Sequence, residues 1–361
     1  MERASIFKAY DIRGRVPGEL DAALARRIGW AFAEVMNPRE VVIGRDVRPS
    51  SAALAAALAE GLRLAGVRVF DLGLCATEEV YFATFYRGLG GGIMVTASHN
   101  PPEYNGMKFV REEARPVGLE SGLAAIAAIA TGPRQLPGGR VRGTLRSDSV
   151  RPAYVKHVLG FVEPGAFEPL PVVVNAGHGC AGPLFDALAA MLPLKVTRLF
   201  HIPDGDFPQG VPNPLLPEHR AQTAEAVRHA GAALGIAWDG DADRCFLFDG
   251  EGNFIEGYYI VGLLAEAFLQ KYPGAHIVHD PRLVWNTLDI VQRGRGVAAM
   301  SRCGHTFIKQ AMRDHDAVYG GEMSAHHYFR EFGYCDSGML PWLLVAELIS
   351  RTGVSLAELV A

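Results

Sequence analysis

Strands alternating with helices predict an α/β fold: three related domains with mixed, mostly parallel sheets flanked by helices, facing one cleft. Three observations carry this. One strand–loop–helix–strand pattern occurs three times. The apolar runs that open each unit are short and do not alternate with polar residues, as expected of strands buried on both faces. Each unit is followed by a further helix and then by a strand ending in a polar loop, where open α/β sheets collect function.

The first unit opens on Val41-Val42-Ile43 and the loop Gly44-Arg45-Asp46. Ser50 or Ser51 can cap an Ala/Leu-rich helix from about 52 to 65, and Gly66 ends it before a strand at Val67 to Phe70. The second runs from Val172-Val173-Val174 through Asn175-Ala-Gly-His-Gly to a helix near Pro183 to Met191 and a strand Lys195 to Leu199. The third runs from Ile277-Val278 through Asp280-Pro-Arg282 to a helix near Val284 to Gln292 and a strand near Val297 to Met300. With 361 residues, and roughly 100–200 residues per domain, two or three domains are expected. Breaks are placed near 145–150, after the Pro/Gly-rich segment Gly132 to Gly143, and near 250–256, giving domains 1–147, 148–252 and 253–361. Ser355-Leu-Ala-Glu358 has the form of a capping box, so a helix is expected to begin there.

Composition excludes several function classes. Apolar residues make up 49% and charged residues 20%, enough to bury several cores. A net charge of −4 argues against a nucleic-acid surface. No run approaches the roughly 18 apolar residues of a membrane span. Met1 to Gly14 lacks the layout of a signal peptide. The five cysteines, 75, 180, 245, 303 and 335, are scattered without CxxC spacing. They read as reduced thiols of a cytoplasmic protein, forming neither a disulfide frame nor a zinc site.

The chemistry lies in three strand-end loops. Thr96-Ala97-Ser98-His99-Asn100-Pro101 follows Ile93-Met94-Val95. The turn would hold the Ser98 hydroxyl exposed, although a lone Ser-His pair, taken by itself, reads better as a helix-capping turn. A serine hydroxyl is a poor nucleophile unless its proton is removed, and a phosphoserine needs cationic or metal compensation. Asp239, Asp241 and Asp243 alternate, so an extended loop would put all three carboxylates on one side, where a hard divalent cation can collect them. An EF-hand fails on spacing, since position six is Arg244 and position twelve is Gly250. Magnesium suits a loop that leaves coordination places open, and Arg244 can grip a phosphate bidentately. Glu322, Ser324 and His326 also alternate: a carboxylate and a hydroxyl can read vicinal sugar hydroxyls, and His326 can act as general acid. Taken alone, that segment also reads as a structural loop. Lys309 reads as a solvated helix-face residue. Arg13 and Lys108 taken alone read as surface cations in turns, and with the rest of the pattern as cations able to bracket Ser98.

Together these residues resemble the α-D-phosphohexomutase family. The match runs in order through Lys8 to Gly14, Thr96 to Pro101, Tyr104 to Lys108, Asp239 to Arg244, Gly304-His305 and Gly321 to His326. Pro281 to Val345 and Pro212 to Pro217 look like bacterial phosphomannomutases in particular. The resemblance implies that domain 1–147 carries phosphoserine Ser98, that 148–252 binds Mg2+ through Asp239, Asp241, Asp243 and the phosphate on Ser98, and that 253–361 binds the sugar. It gives Arg13 and Lys108 a part in proton and phosphate transfer, places Tyr10 in the same N-terminal motif, and has Arg244 stabilise the transferring group. Glu322 and Ser324 would hold sugar hydroxyls, with His305 and His326 lining the cleft. Arg282 stands where many relatives have a lysine touching the sugar. Family members normally carry a fourth domain that grips the distal phosphate. Its residues are absent here, so the chain is expected to fold and bind Mg2+ but to turn over poorly.

The implied function is interconversion of mannose 6-phosphate and mannose 1-phosphate through a phosphoserine enzyme, with a hexose 1,6-bisphosphate as intermediate and activator. Hexose phosphates are the only partners expected, with no nucleic acid, no membrane and an undefined oligomeric state. A phosphoglucomutase or dual-specificity enzyme is the nearest rival, and an inactive sugar-phosphate-binding module is the rival of another class. A glucosamine-phosphate mutase fits less well, since those relatives tend to carry Gln where Met323 stands.

Overall fold

The structure is a computed structural model and describes residues 4–136, 141–282 and 284–361. The first three residues of the N-terminal reading, residues 137–140 of the Pro/Gly-rich segment and Leu283 within the 281–345 match lie outside the described residues.

Three sheets follow one another along the chain. The first contains β1 (Ile12–Arg15), β2 (Glu40–Arg45), β3 (Arg68–Leu74), β4 (Gly91–Val95), β5 (Tyr104–Arg111) and β6 (Leu145–Ser147), in spatial order β1-β5-β4-β2-β3-β6. Strands β4, β2, β3 and β6 are parallel, whereas β5 is antiparallel to both β4 and β1. The second contains β7 (Leu170–Asn175), β8 (Leu194–Leu199), β9 (Leu234–Trp238), β10 (Cys245–Phe248) and β11 (Phe254–Ile255), ordered β11-β10-β9-β7-β8. The third contains β12 (His276–His279), β13 (Val297–Met300), β14 (Tyr319–Gly321), β15 (His327–Phe329) and β16 (Cys335–Asp336), ordered β13-β12-β14-β15-β16.

The threefold repeat is realised. Strands β2, β7 and β12 are each followed by a helix, at Ser51–Leu64, Ala181–Ala189 and Trp285–Arg293. A second helix in each unit, Thr77–Tyr86, Ala221–Ala230 or His305–Asp314, leads into β4, β9 or β14. Each of these last strands then reverses into an antiparallel neighbour, β5, β10 or β15. The chemistry-bearing loops are therefore turns of antiparallel pairs grafted onto a parallel sheet.

The chain divides into two compact units: residues 1–150 with 204–208, and residues 151–203 with 209–361. In the first, Ala22–Met36 starts at Asp21, whose carboxylate accepts the Leu24 N–H at 2.7 Å. It packs on Ser51–Leu64 at backbone distance. A Cβ on Gly29 would meet the Leu58 carbonyl at 2.2 Å, and one on Gly61 the Arg26 carbonyl at 1.9 Å. Ile28, Phe32, Leu58 and Leu62 join Ile43, Ile93 and Val95 of the sheet in one core. Truncating such a residue to Ala costs about 2–5 kcal/mol.

Two local expectations meet different outcomes. Neither Ser50 nor Ser51 caps its helix with a side chain. Both hydroxyls instead accept from Asn105 Nδ2, at 2.8 and 2.9 Å, and Ser51 donates to Asp46. The capping box at the end does form: Ser355 accepts the Glu358 N–H at 3.3 Å and Glu358 accepts the Ser355 N–H at 3.0 Å. Among the described residues, no helix is long and apolar enough to cross a membrane.

Candidate active site

In the first unit Ser98 occupies the turn between β4 and β5. Contrary to the expectation from sequence, the turn does not leave Ser98 exposed. The residue is buried, 3% exposed, because Arg48 and the β5 side of the turn close around it. It is held at φ +50°, a left-handed conformation uncommon for serine. Its N–H donates to Thr96 Oγ1 at 2.9 Å, and its hydroxyl lies 3.1 Å from His99 Nδ1. Such strain clusters at functional turns. Arg13 on β1 pairs with Asp11 at 2.8 Å and reaches Asn100 Oδ1, in the Ser98 turn, at 3.5 Å. Lys108 is buried on β5 opposite Met94. Tyr10 is half-buried at the start of the same N-terminal segment, and Lys8 is exposed.

In the second unit Asp239, Asp241 and Asp243 form the turn between β9 and β10. The loop is not extended, as the alternation argument assumed. The Ala242 N–H donates to the Asp239 carbonyl at 3.1 Å, and Ala242 sits at φ +59°. This reversal makes the carboxylates converge: their oxygens lie within 4.8 Å of one another, and all three residues are at most 1% exposed. Arg244 is buried beside them, with Nε and Nη2 on Asp239 Oδ2 at 3.0 and 2.8 Å. Burial disfavours its charge, but Asp239, Asp243 and Asp241 hold it protonated. Three buried carboxyl groups converge beside this guanidinium. A hard divalent cation with oxygen ligands fits that donor set.

Glu322, Ser324 and His326 form the turn between β14 and β15, again folded back instead of extended. The Glu322 N–H donates to the His326 carbonyl at 2.9 Å, and Ala325 sits at φ +69°. Glu322 accepts from Tyr328 OH at 2.6 Å and from the Gly304 N–H at 2.9 Å, and lies 3.7 Å from Arg282. Gly304 immediately precedes helix His305–Asp314, so Glu322 stands at the positive end of a helix dipole. Arg282 is anchored on Asp280. Ser324 is half-buried, and the buried His305 ring lies 6.5 Å from that of His326.

The carboxylate turn and the Glu322 turn come together in this unit. The Cys245 N–H donates to the Ala325 carbonyl at 3.2 Å, and Trp238 Nε1 to the Gly338 carbonyl at 2.8 Å. Asp243, His326 and Asp336 offer ligand atoms within 4.8 Å of one another. His326 Nδ1 lies 3.1 Å from Asp336 Oδ2, whose other oxygen pairs with Lys309 at 2.6 Å. Lys309 is thus fully buried and not a solvated face residue. The periodicity of its helix missed this because the buried partner, Asp336, comes from a strand 27 positions downstream. Burial lowers the His326 pKa, but Asp243, the Asp336 hydrogen bond and Glu322 outweigh it and raise the pKa above the usual value. The neighbouring His327 faces the other way. Burial, with the charge of His326, pushes it down to about 3.

Sequence reasoning also missed Asp46, Arg48, Asp280 and Tyr328 as supports of these turns. The signal available was the shared Asp-x-Arg after β2 and β12. Nothing in the sequence singles out Asp336. The cysteines are free thiols, four buried and Cys303 exposed.

The geometry agrees with what the chain is similar to. Residues 4–135, 152–252 and 256–361 match phosphoglucomutase/phosphomannomutase alpha/beta/alpha domains I, II and III. A protein named "Phosphohexose mutases" from Xanthomonas campestris is 57% identical over 98% of this chain and 79% of its own length. The phosphomannomutase of Escherichia coli K12 is 54% identical over the whole chain and 80% of its own length. The crystal structure of a phosphoglucomutase/phosphomannomutase family protein from Burkholderia thailandensis superposes with a TM-score of 0.92 at 34% identity, over 99% of this chain and 80% of that one. Three consecutive domain matches, in the order in which three sheets present a serine turn, a carboxylate turn and a glutamate turn, make this chain a member of the phosphoglucomutase/phosphomannomutase family.

Proposed function

We infer that the protein is a phosphomannomutase, an isomerase that interconverts mannose 6-phosphate and mannose 1-phosphate through a phosphoserine enzyme. The observation that carries this is the serine turn: Ser98 held left-handed between β4 and β5, in a chain that also builds a buried three-carboxylate loop. The curated relatives named phosphomannomutase support the substrate.

In the proposed reaction the free hydroxyl oxygen of the bound sugar phosphate attacks phosphorus on Ser98. The bond to Ser98 Oγ breaks, and the proton given up by the attacking hydroxyl ends on Ser98 Oγ, which leaves a free serine hydroxyl. The resulting hexose 1,6-bisphosphate reorients, and the Ser98 hydroxyl takes back the other phosphoryl group. Arg13 and Lys108 balance charge at Ser98 and assist the proton. Asp239, Asp241 and Asp243 hold Mg2+, which when bound stabilises charge on the transferring group. Arg244, tied to Asp239, keeps that loop shaped for the cation and would stabilise the transferring group. Glu322 and Ser324 read sugar hydroxyls, while Arg282 and His305 line the same side. His326 serves as general acid, held in place by Asp336. Tyr10 contacts substrate beside Arg13. Positioning and electrostatics supply most of the rate enhancement.

Dual action on glucose and mannose phosphates is the second reading, favoured by the broader name of the Xanthomonas relative. The proposed setting is the cytoplasm, consistent with five free thiols. The test is turnover of mannose 1-phosphate and glucose 1-phosphate with a trace of hexose 1,6-bisphosphate and Mg2+, alongside intact-mass analysis for one phosphate on Ser98. No turnover and no phosphate on the protein would overturn the reading.

A further inference from the structure

The Ser98 turn has a keystone outside the motif. Arg48 is 2% exposed, three residues past the end of β2. Its Nη1 donates to the carbonyls of Pro101 and Tyr104 at 2.7 and 2.9 Å, and its Nη2 to those of Ser98 and Asn100 at 3.0 and 2.5 Å. Its Nε lies 3.2 Å from Asp46 Oδ2. A guanidinium carries its N–H donors in a fixed plane. The four on Nη1 and Nη2 match these four carbonyls, while Nε faces Asp46 in the ion pair. The outer donors of Arg48 are thus committed to the backbone of the serine turn, although it is a cation beside that turn.

Asp46 ties the same parts together. It accepts the Arg48 N–H at 3.0 Å and the Ala97 N–H at 3.4 Å. Phe207 lies against the guanidinium, 5.6 Å from its ring centroid. The device repeats in the third sheet. Asp280 accepts the Arg282 N–H and the Met323 N–H, each at 3.1 Å, and Arg282 folds back on Asp280. In the second sheet Asn175 accepts the Gly177 N–H at 2.9 Å, and no arginine follows. The repeat thus supplies a strand-end brace, and only the first copy buries its arginine under the loop of the neighbouring strand.

We propose that Arg48 is a positioning residue for phosphoryl transfer at Ser98. Its buried guanidinium, held by Asp46, gathers the carbonyls of Ser98, Asn100, Pro101 and Tyr104. It thereby holds Ser98 in its left-handed conformation, which fixes where the hydroxyl stands in the turn. The inference rests on Ser98 as the phosphoryl carrier.

Arg48→Met and Arg48→Lys test it in the full chain with Mg2+ and a hexose 1,6-bisphosphate. The rate of Ser98 phosphorylation is read by intact mass, and kcat and KM for mannose 1-phosphate are read separately. Misplacing a reacting atom by an ångström costs on the order of 10²-fold, so Arg48→Met should slow phosphorylation by about that factor. The loss should fall on kcat, with KM nearly unchanged. Lysine offers a point charge in place of a planar fork, so Arg48→Lys should not restore the rate. A merely structural arginine would lower the melting temperature and leave the kcat of the folded fraction intact. If Arg48→Met fails to fold, Arg48→Lys, which keeps the charge beside Asp46, carries the test alone. Phosphorylation at the parent rate, or a defect confined to KM, overturns the role of Arg48. Absence of phosphate on the unsubstituted protein instead overturns the assignment of Ser98.

Discussion

Lys309→Met removes one half of a fully buried ion pair. Both side chains are 0% exposed, and Nζ lies 2.6 Å from Asp336 Oδ1. The substitution fills similar volume, so the main cost is electrostatic. Breaking a buried pair by removing one partner costs about 3–5 kcal/mol, because the remaining charge stays desolvated. His326 still faces Asp336, which places the expected loss toward the lower end. At about 2–4 °C per kcal/mol for a unit of this size, the melting temperature should drop by roughly 6–20 °C. The pH dependence has a definite sign. Burial alone would raise the Asp336 pKa, but Lys309 and His326 hold it well below the usual carboxylate range. Its contribution is therefore complete above that ordinary range and is lost as pH falls through the lower, folded value. Without Lys309 the folded pKa rises, so the acid limb of the stability profile should move to higher pH. The double variant Lys309→Met/Asp336→Asn should recover part of the loss. Thermal denaturation followed by circular dichroism from pH 3 to 8 measures all three. A single variant that melts with the parent at neutral pH would refute the buried-pair reasoning.

Ser98→Ala should abolish both phosphate incorporation and mutase activity, read by intact mass and a coupled assay; full turnover would remove Ser98 from the mechanism. Asp241→Asn should weaken Mg2+ binding in calorimetric titration and lower kcat by roughly 10²-fold or more, as for losing one electrostatic donor. Glu322→Gln should raise KM or lower kcat for the sugar phosphate while Ser98 still accepts phosphate from small donors. Loss of phosphorylation with sugar affinity intact would contradict that assignment.

The architecture was legible because it repeats. Short unbroken apolar runs such as Val172-Val173-Val174 force a doubly covered strand, and the same spacing three times forces three like sheets. The reactive residue types were legible too, because Ser98, the Asp239–Asp243 triad and Glu322 all follow such runs. Alternation, however, explained their convergence by the wrong route. Carboxylates two apart meet here because β9 turns into antiparallel β10, with Ala242 left-handed. Strand direction depends on which neighbour supplies the hydrogen bonds, and local sequence does not encode that. Arg48, Lys309 and Asp336 show the same limit. Each reads locally as an ordinary surface charge. Each is buried because a partner distant in sequence, the Ser98 turn for Arg48 and the β16 strand for Lys309, closes over it. The sequence by itself thus determined the sheets, their order and the chemical types at their ends. Only tertiary structure decided which charges left water, since desolvation depends on everything packed around a group and not on its neighbours along the chain.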